Sequence, residues 1–224
     1  MPISLNLEKV KANIAKAAVK SGRRPEEIKL MAVTKRATVG QMNEAIGLGI
    51  DTIGENRIHV AAEKFFKLVD NAKNIEKHMI GHLQTNKAKA AVQLFDVIQS
   101  VDSLKLAKEI DKRSLNADKI MLLMIEVNIS GEDQKYGVSP DKIDEFYNQL
   151  LKLTNINVIG LMTMAPYLPA EETRPYFRQM KQLFDRFSFK WLSMGMTNDY
   201  EVAVEEGANM VRIGTAIFQS HDKN

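Results

Sequence analysis

The sequence predicts an α/β fold, a (β/α)8 or TIM barrel with an extra N-terminal helix, as a single domain over residues 1–224. Three observations predict it. Eight short apolar runs rich in Val, Ile, Leu and Met recur along the chain. Amphipathic stretches of near-helical length lie between them, and parallel strands need such crossovers to return to the same end of a sheet. No Pro/Gly/Ser linker or low-complexity tract divides the chain, and 224 residues lie close to the lower end of the range for eight β/α units. An open doubly wound sheet has the same periodicity; the count of eight and the gathering of polar residues at strand ends favour closure.

The chain opens with a helix, because Leu7, Val10, Ile14, Ala17 and Ala18 recur at three and four residues until Ser21-Gly22 and Pro25 stop the pattern. Strands are expected at 29–34, 51–54, 77–81, 96–100, 120–127, 156–162, 190–194 and 209–213. Helices are expected between them at 39–48, 58–69, 104–115, 143–153, 174–187 and 200–206.

Composition removes several function classes. Hydrophobic residues at 45% and charged residues at 26% describe an ordinary globular protein. Thirty-one Lys plus Arg against 28 Asp plus Glu leave a net charge of +3, spread without a basic block, so no nucleic-acid partner is implied. The absence of cysteine removes disulfides, thiolate catalysis and Cys-ligated metal centres. His59, His78 and His221 show no metal-ligand spacing, so no metal is expected. Lysines interrupt the first 20 residues, leaving no signal-peptide core, and no apolar run is long enough to span a membrane. A cytoplasmic protein without membrane contact is the expectation.

Most predicted strands end in polar or glycine-bearing segments: Thr34-Lys35, Gly54-Glu55-Asn56, Gly81-His82, Asp102, Asn128 to Gly131, Thr163, Ser193-Met194-Gly195 and Arg212 to Thr215. In a barrel these share one rim, where active sites are built. Alternation puts Met31, Val33 and Lys35 on one face, so Lys35 stands at the mouth above an apolar filling. A partly desolvated ammonium there becomes an amine nucleophile for a carbonyl; an exposed lysine covering apolar surface is the plainer reading. At Ser193 to Asp199, Gly195 allows close backbone approach, and the amides of Thr197 and Asn198 precede a helix, an arrangement suited to phosphate or simply to a helix cap. Gly214 and Thr215 form a second turn of this kind. Arg212 shares a face with Met210 and reaches the mouth, where it would donate to a heterocyclic nitrogen and keep it unprotonated, unless it pairs with Glu205 or Glu206. His82 follows Gly81 at a strand end, placed to pack on a planar ligand, act as acid or base, or satisfy its own loop. Asn56 could orient a ring oxygen or form an ordinary turn.

The ordered set TK at 34–35, GEN at 54–56, IGHLQTNK at 80–87, VDS at 101–103, VNISGEDQKYGV at 127–138, GLMTM at 160–164, LSMGMTND at 192–199 and VRIGTAIF at 211–218 resembles the pyridoxal phosphate homeostasis protein family. Those proteins are single-domain barrels akin to the N-terminal barrel of alanine racemase. The resemblance implies that pyridoxal 5'-phosphate (PLP) is the cofactor, held by Lys35 as an internal aldimine, with Asn56 and His82 near its ring and Arg212 on the pyridine nitrogen. It further implies that Ser193, Met194, Gly195, Thr197, Gly214 and Thr215 surround ring and phosphate. Three positions depart from the pattern: Thr197 where serine is more frequent, Arg36 after the lysine, and Gln219 after IF.

The implied role is intracellular vitamin B6 homeostasis as a carrier or buffer, without robust catalysis and without catalytic residues of its own. A racemase of this fold needs a second acid/base group on the opposite face of the substrate, which alanine racemase draws from another domain and the partner subunit. No second domain is expected here. The alternatives are a PLP-dependent amino-acid racemase or related enzyme, with Tyr136, Tyr167 and Tyr200 as candidates for the missing group, and a cofactor-free aldolase using Lys35 directly. The expected partners are PLP and, transiently, PLP-synthesising or PLP-dependent enzymes; single-domain composition favours a monomer.

Overall fold

The computed structural model describes residues 2–68 and 74–219. Within them the strands β1 (Lys29–Val33), β2 (Thr52–Glu55), β3 (Glu76–Met79), β4 (Val97–Val101), β5 (Met121–Val127), β6 (Ile156–Thr163), β7 (Trp191–Ser193) and β8 (Met210–Ile213) form a closed parallel barrel in sequence order. Closure is made by β1, which pairs with β2 on one side and β8 on the other, setting Met31 opposite Arg212.

The helices are α1 (Ile3–Lys20), α2 (Val39–Gly47), α3 (Ile58–Phe65), α4 (Ala88–Leu94), α5 (Leu104–Asn116), α6 (Ile143–Leu150), α7 (Arg174–Phe184), α8 (Tyr200–Glu205) and α9 (Thr215–Phe218). The expected elements are present within a few residues of their expected ends, and α4 and α9 add two short helices. The expected end of the third helix, at Val69, lies outside the described residues, as does His221. α1 buries Leu7, Val10, Ile14, Ala17 and Ala18, the face its spacing picks out, against α8 and α9. It ends where Gly22 turns left-handed at φ 72°, a conformation that suits glycine.

Two apolar layers result. The larger core lies between the strands and the surrounding helices. The smaller one fills the barrel with Met31, Val97, Met124, Met162 and Met210, four of them methionines, whose unbranched chains adapt to the irregular space. This places Met31 inside, as alternation requires, with Ala32 in the outer core.

Behind the rim, the loop after β1 is pinned by α2. Thr38 Oγ1 accepts from Gln41 N at 3.2 Å while Gln41 Oε1 accepts from Thr38 N at 2.9 Å, a reciprocal cap. Gln41 Nε2 also donates to the Phe218 carbonyl at 3.2 Å, fastening the loop that carries Lys35 and Arg36 to α9. Among the described residues, no helix is long and apolar enough to cross a membrane.

Candidate functional site

β1 ends at Val33, and Lys35 follows in a turn closed by Ala37 N donating to the Thr34 carbonyl at 2.9 Å. Val33, Lys35, Arg36, Gly214, Thr215, Phe218 and Gln219 line one cleft at the mouth. The structure thus brings Lys35 together with the Gly214-Thr215 turn, and it puts the two departures Arg36 and Gln219 in the same cleft. Of the two readings of Lys35, the plainer one holds: its side chain is exposed, because the turn carries it past the last strand residue into solvent.

Arg212 lies inside the mouth and is only 4% exposed. Its Nη1 donates to Ser193 Oγ at 2.8 Å and its Nη2 to the Thr163 carbonyl at 2.8 Å. The alternative pairing with Glu205 or Glu206 is excluded, since those carboxylates face outward to Lys20, Arg174 and Arg178. Burial lowers the guanidinium's pKa to about 10, against the attraction of Asp199 and Glu126, so it stays charged at neutral pH.

Ser193 is fully buried, and its hydroxyl donates to Gln99 Oε1 at 2.8 Å. Met194 contributes backbone alone: its side chain packs in the outer core while its N–H donates to the Met210 carbonyl at 3.1 Å. Gly195 follows at φ 91°, and a Cβ there would come 2.5 Å from Ala203 Cβ, so only glycine turns the chain here. Thr197 Oγ1 accepts from Ala216 N at 3.4 Å, joining the loops after β7 and β8. α8 begins only at Tyr200, after a turn over 197–199, and the Met196 N–H is taken by Asp199 Oδ1 at 2.6 Å. With helices of six and four residues here, any phosphate would rest on loop amides and hydroxyls more than on a helix dipole.

Across the mouth, Asn56 is partly exposed at the end of β2 and His82 sits after β3. Gly81 brings them together, since a Cβ there would lie 2.4 Å from the Asn56 carbonyl oxygen. His82 Nδ1 is 3.4 Å from Asp102 Oδ2, and the Tyr136 ring stacks on the imidazole at 3.6 Å between centroids. Tyr136 reaches that place because the loop after β5 folds back: Val138 N donates to the Glu126 carbonyl at 2.8 Å and Asn128 N to the Val138 carbonyl at 3.0 Å. Of the other tyrosines considered, Tyr200 turns away, its hydroxyl accepting from Asn13 Nδ2 at 3.1 Å, and Tyr167 projects into solvent at 94% exposure. No group of three or more potential metal ligands occurs among the described residues.

Sequence reasoning missed three polar residues inside the barrel: His78, Gln99 and Glu126, all buried. Their signal was present, since each stands at an inward position of an alternating strand where an apolar residue would otherwise sit. Glu126 is 3% exposed and its Oε2 has no hydrogen-bond partner. Burial, with Asp102 nearby, pushes its pKa up to about 7 despite Arg212.

Comparison with known proteins places this geometry. The model of the alanine racemase N-terminal domain family matches residues 5–222. A pyridoxal phosphate homeostasis protein of Aquifex aeolicus is 40% identical over 95% of both chains. The chain belongs to the pyridoxal phosphate homeostasis protein family. Among solved structures, PipY of Synechococcus elongatus, without PLP, is similar at 32% identity and TM-score 0.84 over 97% of this chain and 100% of that one. The same family member has been solved with PLP bound, at 30% identity and TM-score 0.84. An alanine racemase of Clostridium difficile shares the fold at TM-score 0.72 and 16% identity; this chain covers 57% of it.

Proposed function

We propose that this member of the pyridoxal phosphate homeostasis protein family binds PLP at the barrel mouth, covalently through Lys35, and serves in intracellular vitamin B6 homeostasis as a carrier or buffer without robust catalysis of its own. The carrying observation is the pairing of an exposed amine, Lys35, with a buried guanidinium, Arg212, on adjacent strand ends of one rim. The PLP-bound PipY structure supports the choice of ligand.

The residues present fit the group. Two of the five N–H bonds of Arg212 are used by Ser193 and Thr163, leaving three for a ligand. Lys35 Nζ, once deprotonated, attacks an aldehyde carbon; the carbonyl oxygen leaves as water and a C=N link remains. Gly214 and Thr215 line the cleft with Lys35, and Asn56, His82, Thr197 and the backbone of Met194 and Gly195, which follow the ends of other strands of the same rim, complete the proposed site. PLP, when bound, supplies an aldehyde that condenses with amines and a ring that can accept electrons.

Arg212 argues against strong carbanion chemistry. An arginine keeps a heterocyclic nitrogen unprotonated, which weakens the ring as an electron sink. Lys35 and His82 are both exposed, so water reaches the mouth, a condition that favours exchange of a ligand over controlled proton transfer. The homeostasis names of the curated relatives agree with this reading.

The test has two parts. Protein incubated with PLP is treated with borohydride, and the Lys35 peptide is weighed; the reading requires the added mass on Lys35 and no other residue. PLP-loaded protein is then incubated with L- and D-amino acids. Sustained racemisation or deamination would overturn the carrier role in favour of an enzyme, with Tyr136 the first residue to examine.

A further inference from the structure

A line of polar side chains runs down the inside of the barrel from Arg212 at the rim to Lys29 at the opposite end. Arg212 Nη1 donates to Ser193 Oγ at 2.8 Å, and Ser193 Oγ donates to Gln99 Oε1 at 2.8 Å. Gln99 Nε2 lies 2.8 Å from His78 Nδ1. His78 Nε2 lies 3.3 Å from Glu76 Oε2, near enough to feel its charge but without a hydrogen bond to it, and Glu76 Oε2 accepts from Lys29 Nζ at 2.6 Å. Ser193, Gln99 and His78 have no exposed surface, so each polar atom left unmatched would carry a desolvation cost.

One contact sets the direction of the whole line. Gln99 Nε2 also points at Met210 Sδ, 3.3 Å away, and a thioether can only accept. The amide nitrogen, not the oxygen, therefore faces both Met210 and His78. His78 Nδ1 must accept, which puts its proton on Nε2, the nitrogen nearer Glu76 but without a hydrogen bond to it. Burial pushes the imidazole below its ordinary pKa and keeps it neutral, while His78 and Lys29 hold Glu76 down at about 2. With its nitrogen turned toward His78, Gln99 presents Oε1 to Ser193 and takes the hydroxyl proton. Ser193 Oγ is left facing Arg212 with lone pairs only.

We propose that Gln99, oriented by His78, is a positioning residue for Arg212: by committing the Ser193 hydroxyl proton to itself, it makes Ser193 an acceptor that fixes the plane of the guanidinium and aims its remaining N–H bonds at the ligand ring. This rests on the assignment of Arg212 as the ring partner made above. A leucine at position 99 would fill similar space but release the Ser193 hydroxyl, which could then turn its proton toward Arg212 and let the guanidinium rotate.

The test uses 15N-labelled full chain, first without PLP. In the wild-type protein His78 is expected as the neutral tautomer protonated at Nε2, and Arg212 is expected to show resolved, slowly rotating Nη–H resonances. In Gln99→Leu those Arg212 resonances should broaden or vanish. After loading with PLP, Gln99→Leu should still be fixed at Lys35 by borohydride, with a shifted visible absorption band and about tenfold weaker affinity, the scale of one hydrogen bond. A wild-type His78 protonated at Nδ1 would overturn the proposal. So would a folded Gln99→Leu with unchanged Arg212 resonances and band. Should Gln99→Leu fail to fold, the wild-type tautomer decides alone. If the wild-type protein takes up no PLP, the functional reading falls separately, while the cofactor-free resonances still decide whether Gln99 holds Arg212.

Discussion

Glu55 at the end of β2 and Lys64 on α3 form a 2.9 Å ion pair behind the rim, with the Glu55 side chain wholly withdrawn from solvent. The same ammonium donates to the Thr34 carbonyl at 2.8 Å, and Thr34 Oγ1 donates to Glu55 Oε1 at 2.9 Å. The residue immediately before Lys35 is thereby tied to the next strand and to a helix. Glu55 Oε2 has no partner, so the carboxylate depends on Lys64 for most of its compensation. Lys64→Met is expected to destabilise the protein by about 3–5 kcal/mol, the cost of an uncompensated buried charge. Lys64→Met with Glu55→Leu should recover most of that loss. Urea unfolding of the three proteins measures it; equal losses in the single and double variants would show that packing, not charge, holds the pair.

Glu126 makes stability depend on pH in a predictable direction. Its carboxyl titrates at about 7 in the folded protein against 4.5 ordinarily. Between those values the folded state holds a proton that the unfolded chain has released, so stability falls as pH rises through the window. The contribution is complete below 4.5 and lost above about 7. At 1.36 kcal/mol per pKa unit the swing is about 3 kcal/mol. Glu126→Gln, which carries no titrating proton, should flatten that part of the profile and exceed the wild type in stability above pH 7 (approximate midpoint). Denaturant midpoints across the window, taken as the difference between the two proteins, isolate this carboxyl from the others.

Much of this was legible in the sequence, for a physical reason. Barrel strands advertise themselves as short apolar runs, and their alternation puts Met31 inside and Lys35 at the mouth. The rim motifs likewise named Arg212, and its inward direction followed from sharing a face with Met210. What escaped were residues whose meaning depends on neighbours distant in the chain. Gln99 acquires a role only because β7 brings Ser193 and β3 brings His78 to its two ends, and Glu126 is unusual only because burial strips it of water. The exposure of Lys35 was one of two readings left open, since strand alternation fixes a side chain's face and not how far beyond the strand a turn carries it.

Gly81 sets the distance between two rim residues. An added Cβ would stand 2.4 Å from the Asn56 carbonyl oxygen and 2.8 Å from Asn56 Cα, both backbone atoms that cannot swing aside. Gly81→Ala should cost about 1–3 kcal/mol, the ordinary range for overpacking. Gly47, the last residue of α2, has nothing within 4 Å of such a Cβ. Gly47→Ala should therefore be neutral or stabilise by about 0.5–1 kcal/mol through its better helix propensity. Thermal melts of both variants against the wild type test the contrast; similar effects would mean the Gly81 contact is not tight.

Lys35 allows folding and the proposed ligand attachment to be measured apart. Its side chain is exposed, and among the described contacts it forms no ion pair or hydrogen bond, so the fold gains little from it. The wild-type protein should gain a visible absorption band on mixing with PLP, retain it through gel filtration and melt at a higher temperature, because a ligand bound only to the folded state stabilises it. Lys35→Ala should melt with the cofactor-free wild type, within about 0.5 kcal/mol, as surface substitutions do. It should show no band that survives gel filtration and no mass fixed by borohydride, while Arg212 and the loops after β7 and β8 still hold PLP weakly and reversibly. Residual affinity in Lys35→Ala measured by equilibrium dialysis thus reports the cradle alone, and its ratio to the wild-type value gives the contribution of the covalent link. A persistent band in Lys35→Ala would move the attachment to another lysine and remove the central residue of the proposed site.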